Sequence, residues 1–193
     1  MIPTEDNYVD WILSSIREYY DEISYTVYTY SISQVRERQC PVDRILAVGN
    51  KIVGLQFKRP QTTERPWQWK LTPHQHKNIS EARWIFYCLP EFVDLRFHKV
   101  ALYHCQFRPA YADETDGVSL TERPFYYRWG AFADALDDCR EGLEIGNERQ
   151  IHQLFNDLSS NTRDTYLSLN KLAREAYIVR GSPSPREMDY EPA

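Results

Sequence analysis

Residues 43–60 read DRILAVGNKIVGLQFKRP. The stretch contains most of two short apolar runs, residues 42–48 and 52–57, which are joined by Gly-Asn-Lys at 49–51. Gly and Asn tolerate the positive φ angles that a tight hairpin turn requires. The pattern therefore predicts two antiparallel strands connected by a short turn.

Polar residues lie at the open end of this predicted hairpin. Side chains two residues apart share one face of a strand, so Gln56 and Lys58 are expected to project together while Phe57 points into the opposite layer. Antiparallel pairing around the turn places Asp43 across from the end of the second strand. The pattern predicts an acid, an amide and an ammonium at one corner of the sheet, where oxygen ligands can hold a hard divalent cation.

The rest of the chain predicts further elements on both sides of the hairpin. A helix over about 6–22 rests on apolar residues at helical spacing, with Thr4, Asp6 or Asn7 as its N-cap. The other predicted elements are strands over 24–33, 67–71 and 100–107, a helix that begins at Thr72-Pro73 and ends at Pro90, and helices over about 129–143, 148–158 and 162–179.

Length and composition indicate one domain over residues 1–180. The chain has 193 residues, 42% of them hydrophobic, and residues 181–193 are rich in Pro, Ser and charge and are predicted to be disordered. No apolar run approaches the roughly 20 residues that span a bilayer, and the N-terminus lacks the features of a signal peptide. We expect a cytoplasmic protein without a membrane partner. Four scattered cysteines without a CxxC pair predict buried free thiols.

Charge is distributed unevenly along the chain. The net charge is −5, but residues 34–77 hold nine cations against three acids, a local net charge of +6, which leaves −11 for the remainder. A basic segment on an acidic protein can bind phosphate locally, and a solvated surface hairpin gives the same count. Under the first interpretation, Arg44, Arg59 and Lys51 are candidates for substrate binding.

The hairpin resembles the signature of the PD-(D/E)xK nuclease superfamily, which has the restriction-endonuclease-like fold. In that signature an acid opens one strand and an acid-x-Lys closes the next, and these places are filled here by residues 41–43, Pro-Val-Asp, and 56–58, Gln-Phe-Lys. Gln in place of the second acid is similar to a variant seen in some members. The resemblance extends to the order of elements, namely a leading helix, a strand, the motif hairpin, a helix and a further strand, up to about Phe107.

The resemblance implies an α/β or α+β fold, with a central mixed sheet flanked by helices in a core over 6–107 and extra C-terminal helices over 128–180. It also implies hydrolysis of phosphodiester bonds, in DNA more than in RNA, with Mg²⁺ or Mn²⁺ as cofactor. The implied metal ligands are Asp43, Gln56, the carbonyl of Phe57 and an acid of the leading helix, while Lys58 positions the attacking water.

The acid of the leading helix is either Glu18 or Glu22. A helical wheel places Glu22 closer to the apolar stripe, which favours Glu22 as the residue that turns toward the sheet. In some related nucleases a Gln in the helix after the motif approaches the site, and Gln75 is the matching position.

A second hypothesis is a nuclease-like fold that acts as a catalytically weak or inactive binding or assembly module. In that case the C-terminal helices dock a larger partner, and Gln56 and Lys58 belong to a polar network that caps a strand. A protein partner or a homo-oligomer is expected under both hypotheses, because the family commonly serves in host defence, mobile elements or repair.

Overall fold

The computed structural model describes residues 2–33, 35–36, 38–71, 73–112, 119–123 and 126–180. In chain order the elements are α1 (Glu5–Glu22), β1 (Val27–Ser31), β2 (Arg44–Val48), β3 (Lys51–Phe57), β4 (Gln68–Lys70), α2 (Pro73–Ile79), β5 (Ile85–Pro90), a kinked 3-10 segment (Leu95–His104), β6 (Cys105–Pro109), a 3-10 turn (Ala110–Ala112), β7 (Ser119–Thr121), α3 (Trp129–Asp137), β8 (Leu143–Glu144), α4 (Glu148–Ser160) and α5 (Thr162–Arg180). The fold is α+β, with a mixed central sheet flanked by helices.

The central sheet has the strand order β1-β2-β3-β5-β6. Pairing is antiparallel except between β3 and β5, which run parallel, and β8 adds a short antiparallel pairing to the start of β3. Strands β4 and β7 form a separate two-stranded sheet. Because β3 lies in the middle of the sheet, all seven of its residues are buried.

Helices cover both faces of the sheet. On one face, Val53, Leu55 and Phe57 of β3 belong to a hydrophobic cluster with α1 and α3. On the other face, Ile52 of β3 and Tyr87 of β5 belong to a cluster that includes residues of α2, α4 and α5. Phe57 therefore faces the α1 layer, as the alternation of side chains predicts.

The hairpin of β2 and β3 forms at the predicted position. Its turn is residues 49–50, where Gly49 has a φ of 58°, a conformation that favours glycine. The register pairs Arg44 with Leu55, which brings the residue before β2 opposite Gln56. Helix α1 begins with a capping box between Thr4 and Asn7, so the cap is Thr4 among the three candidates.

The predicted helix from Thr72-Pro73 to Pro90 is wrong in its second half. Helix α2 ends at Ile79, and Ile85–Pro90 is strand β5, which lies between β3 and β6. An inner strand covered on both faces shows a continuous apolar run without alternation, and residues 84–89, WIFYCL, are such a run. Periodicity alone does not separate this pattern from that of a buried helix.

Two further predicted elements are wrong in part, whereas the other boundaries differ from the prediction by one to three residues. The predicted strand at 100–107 begins only at Cys105, because Leu95–His104 is a 3-10 segment with a kink at Val100. The predicted helix at 129–143 ends at Asp137, and Leu143–Glu144 is β8. Cys139 and Gly142 both have positive φ, which the right-handed helix cannot accommodate.

The cysteines are free thiols, and Cys40, Cys88 and Cys105 are buried while Cys139 is exposed. Among the described residues, no helix has both the length and the apolar character needed to cross a membrane. The predicted cap Thr72 and the predicted disordered tail at 181–193 lie outside the described residues.

Candidate active site

Asp43 is fixed across the open end of the β2–β3 hairpin. Its backbone nitrogen donates to the carbonyl of Leu55 at 3.1 Å. Its Oδ2 atom accepts hydrogen bonds from the backbone nitrogen of Phe57 at 2.7 Å and from Nε2 of Gln56 at 2.6 Å. The sequence-predicted acid and amide are thus in direct contact.

Gln56 joins Asp43 to helix α2. Its side chain is fully buried, and its Oε1 accepts a hydrogen bond from Nε2 of Gln75 at 2.8 Å. The resulting chain of bonds, Gln75 to Gln56 to Asp43, aims the amide nitrogen of Gln56 at the acid. The amide must rotate, and lose both bonds, before its oxygen becomes a ligand beside Asp43.

Lys58 follows β3 and lies beside the same acid. Its backbone nitrogen donates to the carbonyl of Cys88 at 3.2 Å, which extends the parallel β3–β5 pairing past the end of β3. The side chain is 8% exposed and lines the same cavity as Asp43 and Gln56. Its ammonium is the strongest influence that favours the ionised forms of Asp43 and of Glu5.

Glu5 brings a second carboxylate to the site from the first turn of α1. Burial raises the pKa of Glu5, whereas the nearby Lys58 ammonium and the nearby backbone N–H of Arg59 act to lower it. The Asp43 carboxylate raises the pKa of Glu5 as well. Asp43 and Glu5 are therefore close enough for their charges to interact.

Glu22, the sequence-predicted acid of the leading helix, is not brought to this site. It is the last residue of α1 and is exposed. It lies 17 residues beyond Glu5, or about 25 Å along the helix axis. A helical wheel gives the angle of a side chain around the axis and does not show which end of the helix meets the site. The available signal for Glu5 was its position directly after the capping residue Thr4.

The pKa of Asp43 is also raised. Burial is the main cause, and the Lys58 ammonium, the hydrogen bonds from Phe57 and Gln56 and the charge of Arg44 act against it. Two acids with raised pKa values in one cavity are costly to ionise together. A divalent cation between them would favour both ionised forms.

The residues present fit a hard cation in their chemistry. Asp43 and Glu5 offer carboxylate oxygens to the cavity, and carboxylates are preferred ligands of Mg²⁺ and Mn²⁺. The Gln56 oxygen is bonded to Gln75, and Phe57 is not among the residues that line the cavity, so these two expected ligands are not presented to a cation. Among the described residues, no group of three or more His, Cys, Asp or Glu side chains is placed to hold a metal ion. A cation here would therefore depend on two carboxylates, with water or substrate oxygens in its remaining positions.

Glu5, Asp43, Gln56 and Lys58 line a cavity of about 820 Å³ at the end of the sheet. This volume is within the range of sites for small molecules and cofactors. Arg44 lines the cavity and donates from Nη1 to the backbone carbonyl of Asp43 at 2.8 Å. Gln75 and Asn78 line it from the side of α2, while Glu5 lines it from α1. The cavity thus lies where the two helical layers meet.

Two of the predicted substrate-binding cations have other positions. Lys51 begins β3, about 23 Å along the strand from Lys58. Its Nζ donates to the carbonyls of Leu136 and Asp137, the latter at 2.9 Å, and so caps the C-terminal end of α3. Lys51 is therefore a structural residue. Arg59 is exposed and does not line the cavity, and its backbone N–H acts to lower the pKa of Glu5.

A scan against protein-family models, a search of curated proteins and a search of solved structures each found no match for the chain.

Proposed function

We propose that this protein is a metal-dependent nuclease with a restriction-endonuclease-like core, which hydrolyses phosphodiester bonds of nucleic acid, with DNA favoured over RNA. The observation that carries the proposal is the convergence of Asp43, Glu5 and Lys58 on one cavity. The element order supports it in part, since α1, β1, the β2–β3 hairpin and α2 occur in the expected sequence, with β4 inserted before α2 and with β5 preceding the strand expected near Phe107.

The chain's own residues have distinct roles in the proposed reaction. Asp43 and Glu5 would hold Mg²⁺ or Mn²⁺, which, when bound, lowers the pKa of water and neutralises charge on the phosphate. Water attacks phosphorus, the bond from phosphorus to the leaving oxygen breaks, and that oxygen takes up a proton. Lys58 positions the water and stabilises the negative charge that develops on the phosphoryl oxygens.

A second candidate function is a binding or assembly module without catalysis. The observation that favours it is the orientation of Gln56, whose amide nitrogen rather than its oxygen faces Asp43. A neutral, hydrogen-bonded residue at this position reduces the negative charge that attracts a cation.

Cleavage assays distinguish the two candidates. Labelled single-stranded and duplex DNA and RNA are incubated with Mg²⁺ or Mn²⁺ and the wild type, Asp43→Asn, Glu5→Gln or Lys58→Ala. We expect each substitution to reduce cleavage by about 100-fold or more, since each removes a charge that acts on the phosphate or its cation.

Glu22→Gln is the matched control for Glu5→Gln, because it makes the same change at the other end of the same helix. We expect Glu22→Gln to cleave like the wild type. Cleavage that is absent from the wild type with both metals, or equal in all variants, would reject the nuclease and leave the binding module.

A further inference from the structure

A second cavity, of about 520 Å³, lies between α2 and α5. We name it the α5 groove and define it by its charged residues: Arg38, before β2; Lys77 and Glu81, at and after the end of α2; and Arg163, Lys171 and Arg174, on α5. These residues come from three separate parts of the chain. The groove therefore exists only when α5 is packed on the sheet.

The α5 groove is basic on a protein whose net charge is −5. Among the described residues that line it, five are cationic and one, Glu81, is acidic. Glu81 forms an ion pair with Arg174, whose Nη2 lies 2.7 Å from Oε2 of Glu81. Lys171 is also paired, since its Nζ lies 3.9 Å from Oε1 of Glu175. Positive potential in a cleft attracts polyanions.

Three cations of the groove are exposed and have no ion pair within the part of the chain that the structure describes: Arg38, Lys77 and Arg163. Gln39 and Asn78 line the groove with them and provide amide donors. Exposed cations together with neutral amide donors are typical of contacts to a sugar–phosphate backbone.

The groove adjoins the candidate active site and shares part of its lining. Arg38, Pro41 and Asn78 line both cavities. A chain of phosphates that enters the α5 groove therefore leads past Arg38 to Lys58. An isolated anion would occupy only one of the two cavities, whereas a polymeric phosphodiester is long enough to occupy both.

We propose that the α5 groove binds the phosphodiester backbone of a nucleic acid, and that this nucleic acid continues into the cavity of Asp43 and Lys58. The second part rests on the proposed function, whereas binding in the groove does not require cleavage. Helix α5 is thus a substrate-binding element.

The test measures binding without cleavage, by fluorescence anisotropy of labelled oligonucleotides in EDTA over a series of salt concentrations. The groove variant carries Arg38→Gln, Lys77→Gln and Arg163→Gln. The matched control carries Lys70→Gln, Lys99→Gln and Arg149→Gln, which remove the same charge from exposed residues that do not line either cavity. Thermal midpoints show that both variants are folded.

We expect the groove variant to lose about tenfold or more in affinity relative to the control. The slope of log affinity against log salt concentration should fall by about 2 for a single strand and by about 3 for a duplex, because each of the three lost phosphate contacts contributes about 0.7 or about 0.9, respectively. Separate arms with single-stranded and duplex DNA and RNA identify which nucleic acid the groove accepts.

No binding by the wild type, or equal losses in the groove variant and the control, would overturn the proposal. Displacement of the oligonucleotide by a poly-glutamate peptide at equal charge concentration would also overturn it, in favour of an acidic protein partner. Binding that is lost specifically in the groove variant, with no cleavage by the wild type when metal is added, would reject the nuclease and leave the groove proposal standing.

Discussion

At the scale of single residues, Asp43 has a fixed position, and its burial disfavours the ionised form of its carboxyl group. Its Oδ2 atom accepts two hydrogen bonds from β3, so the side chain has little freedom to move. Burial nevertheless raises its pKa, and the pKa of Glu5 is raised for the same main reason. Groups whose pKa values are shifted in a shared cavity are typical of functional sites.

We expect Mg²⁺ to stabilise the protein more strongly as the pH rises. Raised pKa values keep Asp43 and Glu5 protonated over a range in which the unfolded chain is already ionised, and protonated acids bind the cation poorly. At neutral pH, Mg²⁺ at about ten times its Kd should raise Tm by about 3 to 6 °C, and the shift should be smaller at acidic pH. Differential scanning fluorimetry measures this shift.

Without Mg²⁺, the contribution of Asp43 and Glu5 to the free energy of unfolding should fall as the pH rises. An acid whose folded-state pKa is raised contributes stability at low pH, which is lost as the pH rises from the unfolded-state value through the folded-state value. Asp43→Asn and Glu5→Gln should abolish the Mg²⁺ shift, whereas Glu22→Gln should retain it. A Mg²⁺ shift that is identical in all three variants would place the cation elsewhere.

Gln56→Glu should lower the stability of the metal-free protein and increase its affinity for Mg²⁺. A carboxylate at this buried position faces Asp43, so the variant should have a lower Tm than the wild type without metal. With Mg²⁺ the additional charge should strengthen binding and enlarge the Tm shift. Calorimetry and thermal melts with and without Mg²⁺ test both statements.

Gln106→Glu is the matched control for that variant. Gln106 is also buried, and its Nε2 donates to Oε1 of Glu91 at 2.8 Å. This control should lose stability without a gain in the response to Mg²⁺. Equal gains in both variants would mean that Gln56 has no special relation to a cation.

At the scale of elements, strand β3 depends on a small residue where three side chains meet. A Cβ atom at Gly54 would lie 3.0 Å from Cγ1 of Ile85, 3.0 Å from Cζ3 of Trp84 and 3.1 Å from Cγ1 of Val42. Gly54→Ala should therefore lower the free energy of unfolding by about 1–3 kcal/mol, as measured by urea denaturation. Gly130→Ala makes the same change in α3 with no atom within 4 Å, and should be neutral or stabilising.

Lys51 joins β3 to the C-terminal end of α3. Lys51→Met keeps the aliphatic stem and removes the ammonium from two carbonyls, so it should lower the free energy of unfolding by about 1–3 kcal/mol and leave oligonucleotide binding unchanged. Lys70→Met, at an exposed strand position, should change stability by less than about 0.5 kcal/mol. Weaker binding at unchanged stability would restore Lys51 to the substrate-binding residues.

Local chemistry made some of these elements predictable from the sequence. The turn at Gly49 and the alternation of Gln56 and Lys58 are features of a few consecutive residues, and the structure brings Gln56 to Asp43 at the end of the hairpin. Strand β5 and Glu5 were missed because their assignment depends on tertiary structure. The pairing of β5 with β3 and the direction of α1 across the sheet are not encoded in local periodicity.

At the scale of the whole molecule, α5 packs on the same cluster as the sheet. Tyr166, Leu169 and Ala173 are buried in that cluster, and Nε1 of Trp84 donates to Oδ1 of Asn170 at 2.8 Å. We therefore expect residues 1–180 to unfold in one transition. Urea midpoints from tryptophan fluorescence and from far-UV circular dichroism should coincide. A separate transition in the circular dichroism signal would contradict this prediction and show that the C-terminal helices unfold independently of the core.

The residues that line the cavity and the groove are far apart along the chain, so they are synthesised at different times. Glu5 is synthesised first, Asp43 and Lys58 follow, and Gln75 completes the hydrogen-bond chain. Helix α5, which lines the basic groove, is synthesised after all of these residues. The α5 groove therefore stays incomplete until α5 has left the ribosome and packed on the sheet. Before that point the nascent chain already contains the residues of the Asp43 cavity and lacks the part of the basic surface beside them that α5 supplies.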